Sequence, residues 1–156
     1  LQQIKEFIAN EGPSSKIYLG CDSRTYKRHD EWVAEFYLVV VIHKNARNGC
    51  KIFGEVVTEK DYNYNRKKPR YRLMREVYLV ADLFLQLNDS IQDREFEIHL
   101  DISPDKKNLS STVVQEAIGY IKGVTNVVPM VKPNAWASSY AADRIGRCSS
   151  LTKRIA

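Results

Sequence analysis

Cysteine, histidine and long apolar runs are scarce in this sequence, and each shortage removes a class of function. The three cysteines, Cys21, Cys50 and Cys148, are odd in number and show no CxxC spacing. Neither a disulfide framework nor a zinc site is indicated. A reducing cytosol is the simplest compartment for such a chain, so a cytoplasmic location is expected. The three histidines, His29, His43 and His99, lack metal-ligand spacing and read as surface or strand residues without a role. The apolar run Tyr37 to Ile42 is far too short to cross a bilayer, and no charged n-region leading into an apolar h-region opens the chain. No membrane partner is expected. The chain begins at Leu1 rather than Met, as it would after N-terminal trimming. No internal repeat, low-complexity tract or linker breaks its 156 residues, which suit one domain with one core over 1–156.

What the sequence does have is alternation and helical spacing in a definite order. Leu1, Ile4, Phe7 and Ile8 predict a short amphipathic helix that stops at Gly12-Pro13. Lys16 to Asp22, Trp32 to His43 and Cys50 to Thr58 read as three strands, the last two joined through Asn48-Gly49, a hairpin signal. Arg70 to Leu87 changes to a helical period, with Leu73, Val77, Val80, Ala81, Phe84 and Leu87 on a broad apolar stripe. "EFEIHLDIS" predicts a fourth strand, "NLSSTVVQEAIGYIKG" a helix, "NVVPMVK" a fifth strand, and "PNAWASSYAADRIGR" a last helix capped by Asn134. The order β-β-β-α-β-α-β-α implies an α/β domain built on a five-stranded mixed sheet: an antiparallel meander, then two strands joined by right-handed crossovers.

Four acids stand at informative places in that order. Asp22 and Asp101 end the first and fourth strands, which this topology sets side by side, at the edge where open α/β sheets bind ligands. Glu76 lies on the apolar stripe of the long helix, so its carboxylate is expected to point inward. Asp143 sits in the last helix, where Ala135, Ala137, Ser138, Ser139, Ala141 and Ala142 are small enough to let that helix approach the sheet closely. Gathered carboxylates repel and resist ionisation unless a divalent ion neutralises them. Mg²⁺ or Mn²⁺, with phosphate oxygens completing the shell, is the chemistry of two-metal phosphodiester cleavage.

This arrangement of Asp22, Glu76, Asp101 and Asp143 resembles the ribonuclease H-like fold, with helices on both faces of its sheet. More closely, "IYLGCDS", "EIHLDISPDKKNLSS", "EAIGYIKG" and "VKPNAWASSYAADRI" resemble the YkuK-type bacterial family, which is grouped with ribonuclease H-like proteins. The resemblance implies that Asp22 is the first metal aspartate, Glu76 the helix glutamate, Asp101 the aspartate bridging two ions and Asp143 the final acid. Asp105 is a substitute for Asp143, or a turn residue after Pro104. In that mechanism one ion activates water and the other stabilises the leaving 3′ oxygen. Lys107, Lys122 and Lys132 are candidates to neutralise the phosphate.

Positive charge is concentrated in "EKDYNYNRKKPRYRLMR", Glu59 to Arg75, where seven cations against two acids give +5, equal to the whole chain's charge. Tyr62, Tyr64 and Tyr71 interleave with Arg66, Lys67, Lys68, Arg70 and Arg72, the mixture single-stranded nucleic acid uses for phosphate contacts and base stacking. A solvated loop is the plainer reading; its position ahead of Glu76 favours nucleic-acid contact, with Lys107 and Lys132 added from the acid edge. A second candidate phosphate contact is Ser110 and Ser111 at a helix start, where simple capping explains them equally well. The function expected is a metal-dependent nuclease, a hydrolase of RNA, RNA–DNA hybrid or single-stranded DNA. The alternative is a noncatalytic nucleic-acid-binding or protein-interaction module on the same scaffold.

Overall fold

The computed structural model describes residues 1–46, 48–64 and 69–147. In chain order these form α1 (Gln2–Asn10), β1 (Lys16–Arg28), β2 (Glu31–His43), β3 (Cys50–Lys60), α2 (Arg70–Ile91), β4 (Phe96–Leu100), α3 (Val114–Thr125) and α4 (Ala142–Arg147). A π-helical turn, Ala137–Ala141, runs directly into α4. The sheet order is β3-β2-β1-β4, with β1–β2 and β2–β3 antiparallel and β1–β4 parallel.

Alternation decides which side chains go to which layer. Ile17, Leu19 and Cys21 of β1, with Ile98 and Leu100 of β4, pack against Val77, Val80, Phe84 and Leu87 of α2, Ile121 of α3 and Ile4 and Ile8 of α1. Tyr37, Val39 and Val41 of β2 face the opposite way and meet Ala137, Ala141 and Ala142. Helices therefore cover both faces, as expected. The last helical segment comes very close to β1. A Cβ on Gly20 would lie 2.8 Å from the Ser138 backbone nitrogen, so only glycine leaves room there. The small residues of the last helix and Gly20 are two halves of one close contact. No helix among the described residues is long and apolar enough to cross a membrane.

Three expectations need correction. First, β1 does not end at Asp22: it pairs with β2 as far as Arg28↔Glu31. A tight two-residue turn closes this hairpin, with His29 and Asp30 at φ 47° and 65°, the positive values such turns demand. Second, the described residues form four strands, not five. Along the predicted fifth, one parallel bridge joins Met130 to His99. Met130 N–H donates to Ile98 O at 2.8 Å and Lys132 N–H to Ile102 O at 3.0 Å. Pro129 and Pro133 bracket this pairing and have no N–H of their own, so it stays a short strip beside β4. Third, the last helix starts at Ala137, with no side-chain cap.

Candidate active site

The parallel pairing of β1 with β4 stops at Cys21↔Leu100. Asp22 and Asp101 are the next residue on each chain, so the two carboxylates arise side by side where the ladder opens. The Ser23 backbone N–H donates to Asp22 Oδ1 at 2.7 Å; among the described residues Asp22 has no ion-pair partner. Burial, and after it the negative charge of Asp101, push the Asp22 carboxyl up to about 6, with Lys132 and Arg72 opposing. Asp101 is held on both oxygens. Lys132 Nζ donates to Oδ2 at 2.8 Å and Ser139 Oγ to Oδ1 at 2.6 Å. The strip beside β4 supplies the lysine and the π-helical turn the serine.

Glu76 is only 3% exposed, as its place on the apolar stripe predicts. Because side chains alternate along β1, Ser23 points to the α2 side while Asp22 points away from it. Ser23 Oγ donates to Glu76 Oε1 and accepts from Arg72 Nη1. Arg72 also donates to Ser23 O and Glu76 Oε1, each at 3.2 Å. Burial outweighs this guanidinium and hydroxyl, and Asp22 and Asp101 add repulsion, so the Glu76 carboxyl rises to about 8. Resistance to ionisation, shared by Asp22 and Glu76 next to Asp101, is the electrostatic signature of the site.

Asp143 takes a different partner set. Its carboxylate pairs with Arg24 of β1 and, at 2.7 Å, with Arg147 one turn along α4. Asp105 is exposed and accepts the Lys107 backbone N–H at 3.0 Å, the turn role weighed against a ligand role. Ser110 Oγ accepts the Ser103 backbone N–H at 3.0 Å, so it braces the loop after Asp101. Among the described residues no three His, Cys, Asp or Glu side chains form a group that could hold a metal ion. The arrangement thus offers a pair of carboxylates, Asp22 and Asp101, rather than a four-acid cage for two ions. A pair suits Mg²⁺ or Mn²⁺, which bind through one or two carboxylates and complete their shell with water and phosphate oxygens.

Several of the residues expected to meet nucleic acid have partners within the chain. Arg72 turns inward to Ser23 and Glu76, as an i,i+4 pair on one helix allows. Arg70 donates to both Glu116 oxygens of α3, at 2.7 and 2.6 Å. Lys132 is on Asp101, Lys107 is exposed, and Tyr64 stacks on Trp32 with ring centroids 3.5 Å apart. Arg66, Lys67 and Lys68 lie outside the described residues.

Sequence reasoning passed over Ser23, Ser139 and His99. His99 is fully buried; its Nδ1 accepts the Ala137 backbone N–H at 3.0 Å, and Nε2 contacts Glu97 Oε2 at 2.9 Å. An accepting Nδ1 puts the proton on Nε2, the neutral tautomer, and burial lowers the ring's pKa. It ties β4 to the start of the turn that carries Ser139. The alternation of "EIHL" was the available signal, since it put His99 between two core residues.

The family model described as ribonuclease H-like matches residues 1–147. "Uncharacterized protein YkuK" of Bacillus subtilis (strain 168) is 26% identical over 154 residues, covering 90% of this chain and 86% of that protein. No solved structure matches.

Proposed function

The chain belongs to the ribonuclease H-like family, and on that premise we propose that it hydrolyses phosphodiester bonds of nucleic acid with a divalent cation. The observation that carries this reading is the placement of Asp22 and Asp101 side by side where the β1–β4 ladder ends, with Asp22 driven up by burial and by its neighbour's charge. Hard carboxylate oxygens in excess of local cations fit Mg²⁺ or Mn²⁺. Asp22 and Asp101 would hold the ion. When bound, it supplies an acidified water and a counter-charge for the phosphate.

The chain's own groups orient these two acids. Ser139 and Lys132 fix the two Asp101 oxygens, and the Ser23 N–H fixes Asp22 Oδ1. Arg72 and Glu76 lock the Ser23 hydroxyl from behind, which keeps that N–H aimed. Glu76 in this reading is a positioning residue, and Asp143 braces α4 against β1 through Arg24.

A second reading has a specific observation behind it. Lys132 and Arg72 already pair with Asp101 and Glu76, as in a charge-compensated scaffold that binds nucleic acid without cleaving it. Isothermal titration of Mn²⁺ into wild type and Asp101→Asn, followed by labelled single-stranded, duplex and hybrid substrates, separates the two. Metal-dependent cleavage that vanishes in Asp101→Asn supports the hydrolase. Nucleic-acid binding without cleavage by the wild type selects the scaffold.

A further inference from the structure

On the α2 side of the sheet, between the end of β3 and the first turns of α2, lies a groove of about 240 Å³. Phe36 lies at its floor, and Tyr62, Tyr71 and Tyr78 line it together with Arg72 and Arg75. Three tyrosines at one opening are unusual in their exposure: Tyr62 is 86% exposed, Tyr71 64% and Tyr78 37%. Burial ordinarily claims such rings. Tyr78 is steadied from outside by Tyr120, edge to face at 4.9 Å.

The charges that line the groove already have partners within the chain. Arg75 pairs with Glu59 and Lys60 with Glu31, and Asp61 Oδ1 accepts the Asn63 N–H. What the walls leave free is aromatic surface, which suits a flat neutral ring rather than a phosphate. The volume is just below the roughly 300 Å³ at which pockets for drug-sized ligands begin; it is the size class of one base. Among the described residues, Lys60, Arg72 and Arg75 supply the cations at this groove, against Glu59 and Asp61. Arg72 joins the groove to the site: it lines the groove and also bonds Ser23 and Glu76.

From this we infer that the groove seats an unpaired base of single-stranded nucleic acid, stacked on Tyr71, while the strand's backbone runs on toward Asp22 and Asp101. The inference rests on the nucleic-acid reading above and adds to it the class of substrate. A paired duplex base cannot enter such a groove, whereas every unpaired base has a π-face to offer. Recognition is therefore strand-selective and tolerant of sequence.

Fluorescence anisotropy in EDTA tests it, with labelled oligothymidylate, a length-matched abasic oligomer and a duplex, on wild type, Tyr71→Ala and Tyr71→Phe. Tyr71 is exposed, so its truncation leaves the core intact. Losing one stacked base weakens binding about tenfold. Wild type is expected to bind oligothymidylate about tenfold more tightly than the abasic oligomer. Tyr71→Ala is expected to erase that difference without changing abasic or duplex binding, and Tyr71→Phe to keep it. Equal affinity of wild type for the base-bearing and abasic oligomers overturns the inference, as does an equal loss on all three ligands in Tyr71→Ala or no binding at all. Without divalent cation no cleavage enters the readout, so a protein inactive as a hydrolase still gives a clear answer.

Discussion

Replacing Glu76 with Gln removes the most perturbed carboxyl of the site while keeping its shape, and the structure fixes the sign of the result. Burial raises Glu76 from an ordinary 4.5 to about 8. Between those values the folded chain holds a proton that the unfolded chain has released, so stability must fall as pH rises. Each pH unit in that window is worth about 1.4 kcal/mol. Between about pH 6 and 8, wild type should therefore lose about 2–3 kcal/mol. Asp22 acts in the same sense, but below about 6, which is why the upper window isolates Glu76. His99, with its lowered pKa, acts in the opposite sense and cancels in the difference between the two proteins. The replacement amide can still accept from Ser23 Oγ and does not titrate. Urea unfolding of wild type and Glu76→Gln in EDTA across this range should show wild type falling relative to the variant, the two curves closest at the acid end and separating by a further ~2–3 kcal/mol by pH 8. Parallel lines would refute the reasoning, because Glu76 would then be ionised throughout and answered fully by Arg72.

Two further outcomes follow from the same geometry. Lys132→Met removes the in-chain cation on Asp101 and should tighten Mn²⁺ binding up to about fivefold in calorimetry, since a half-exposed pair is worth no more than ~1 kcal/mol; unchanged or weaker binding would show that Lys132 and the ion do not compete. Gly20→Ala sets a Cβ against the Ser138 backbone and should lower stability by about 1–3 kcal/mol, several degrees in Tm. An unaltered Tm would mean that the last helical segment can move away from β1 freely.

Periodicity carried most of the fold. The alternation of Ile17, Leu19 and Cys21 assigned a face, and the stripe around Leu73, Val77 and Val80 put Glu76 inside. Strand order set Asp22 beside Asp101. What failed was local or long-range. The hairpin that lengthens β1 turns on His29 and Asp30, which adopt positive φ without the Gly that usually announces it. Side-chain partners were invisible for a different reason: a sequence tells where a charge sits, not which of several nearby charges it meets. Arg72 read as a cation for phosphate, and the structure has it hydrogen-bonded to Ser23 and Glu76; Asp143 read as a ligand, and its in-chain partners are Arg24 and Arg147. Electrostatic choices of this kind are settled by the packing of β1 against both α2 and α4, and the linear order does not encode that packing directly.

The proline-bracketed strip beside β4 has a consequence for how copies of this chain behave together. A sheet that ended in a bare β4 would offer Ile98 and Leu100 backbone groups as a template for any extended segment, the first step of amyloid-like self-association. Met130 occupies that row, and Pro129 and Pro133 give an incoming strand no donors to continue it. At the opposite margin β3 presents Lys51, Glu55 and Lys60 to solvent, charges that make edge-to-edge stacking of two β3 strands unfavourable. The four-stranded sheet is thus sealed by proline on one side and by charge on the other, and it should stay dispersed at concentrations where an open-edged sheet would polymerise.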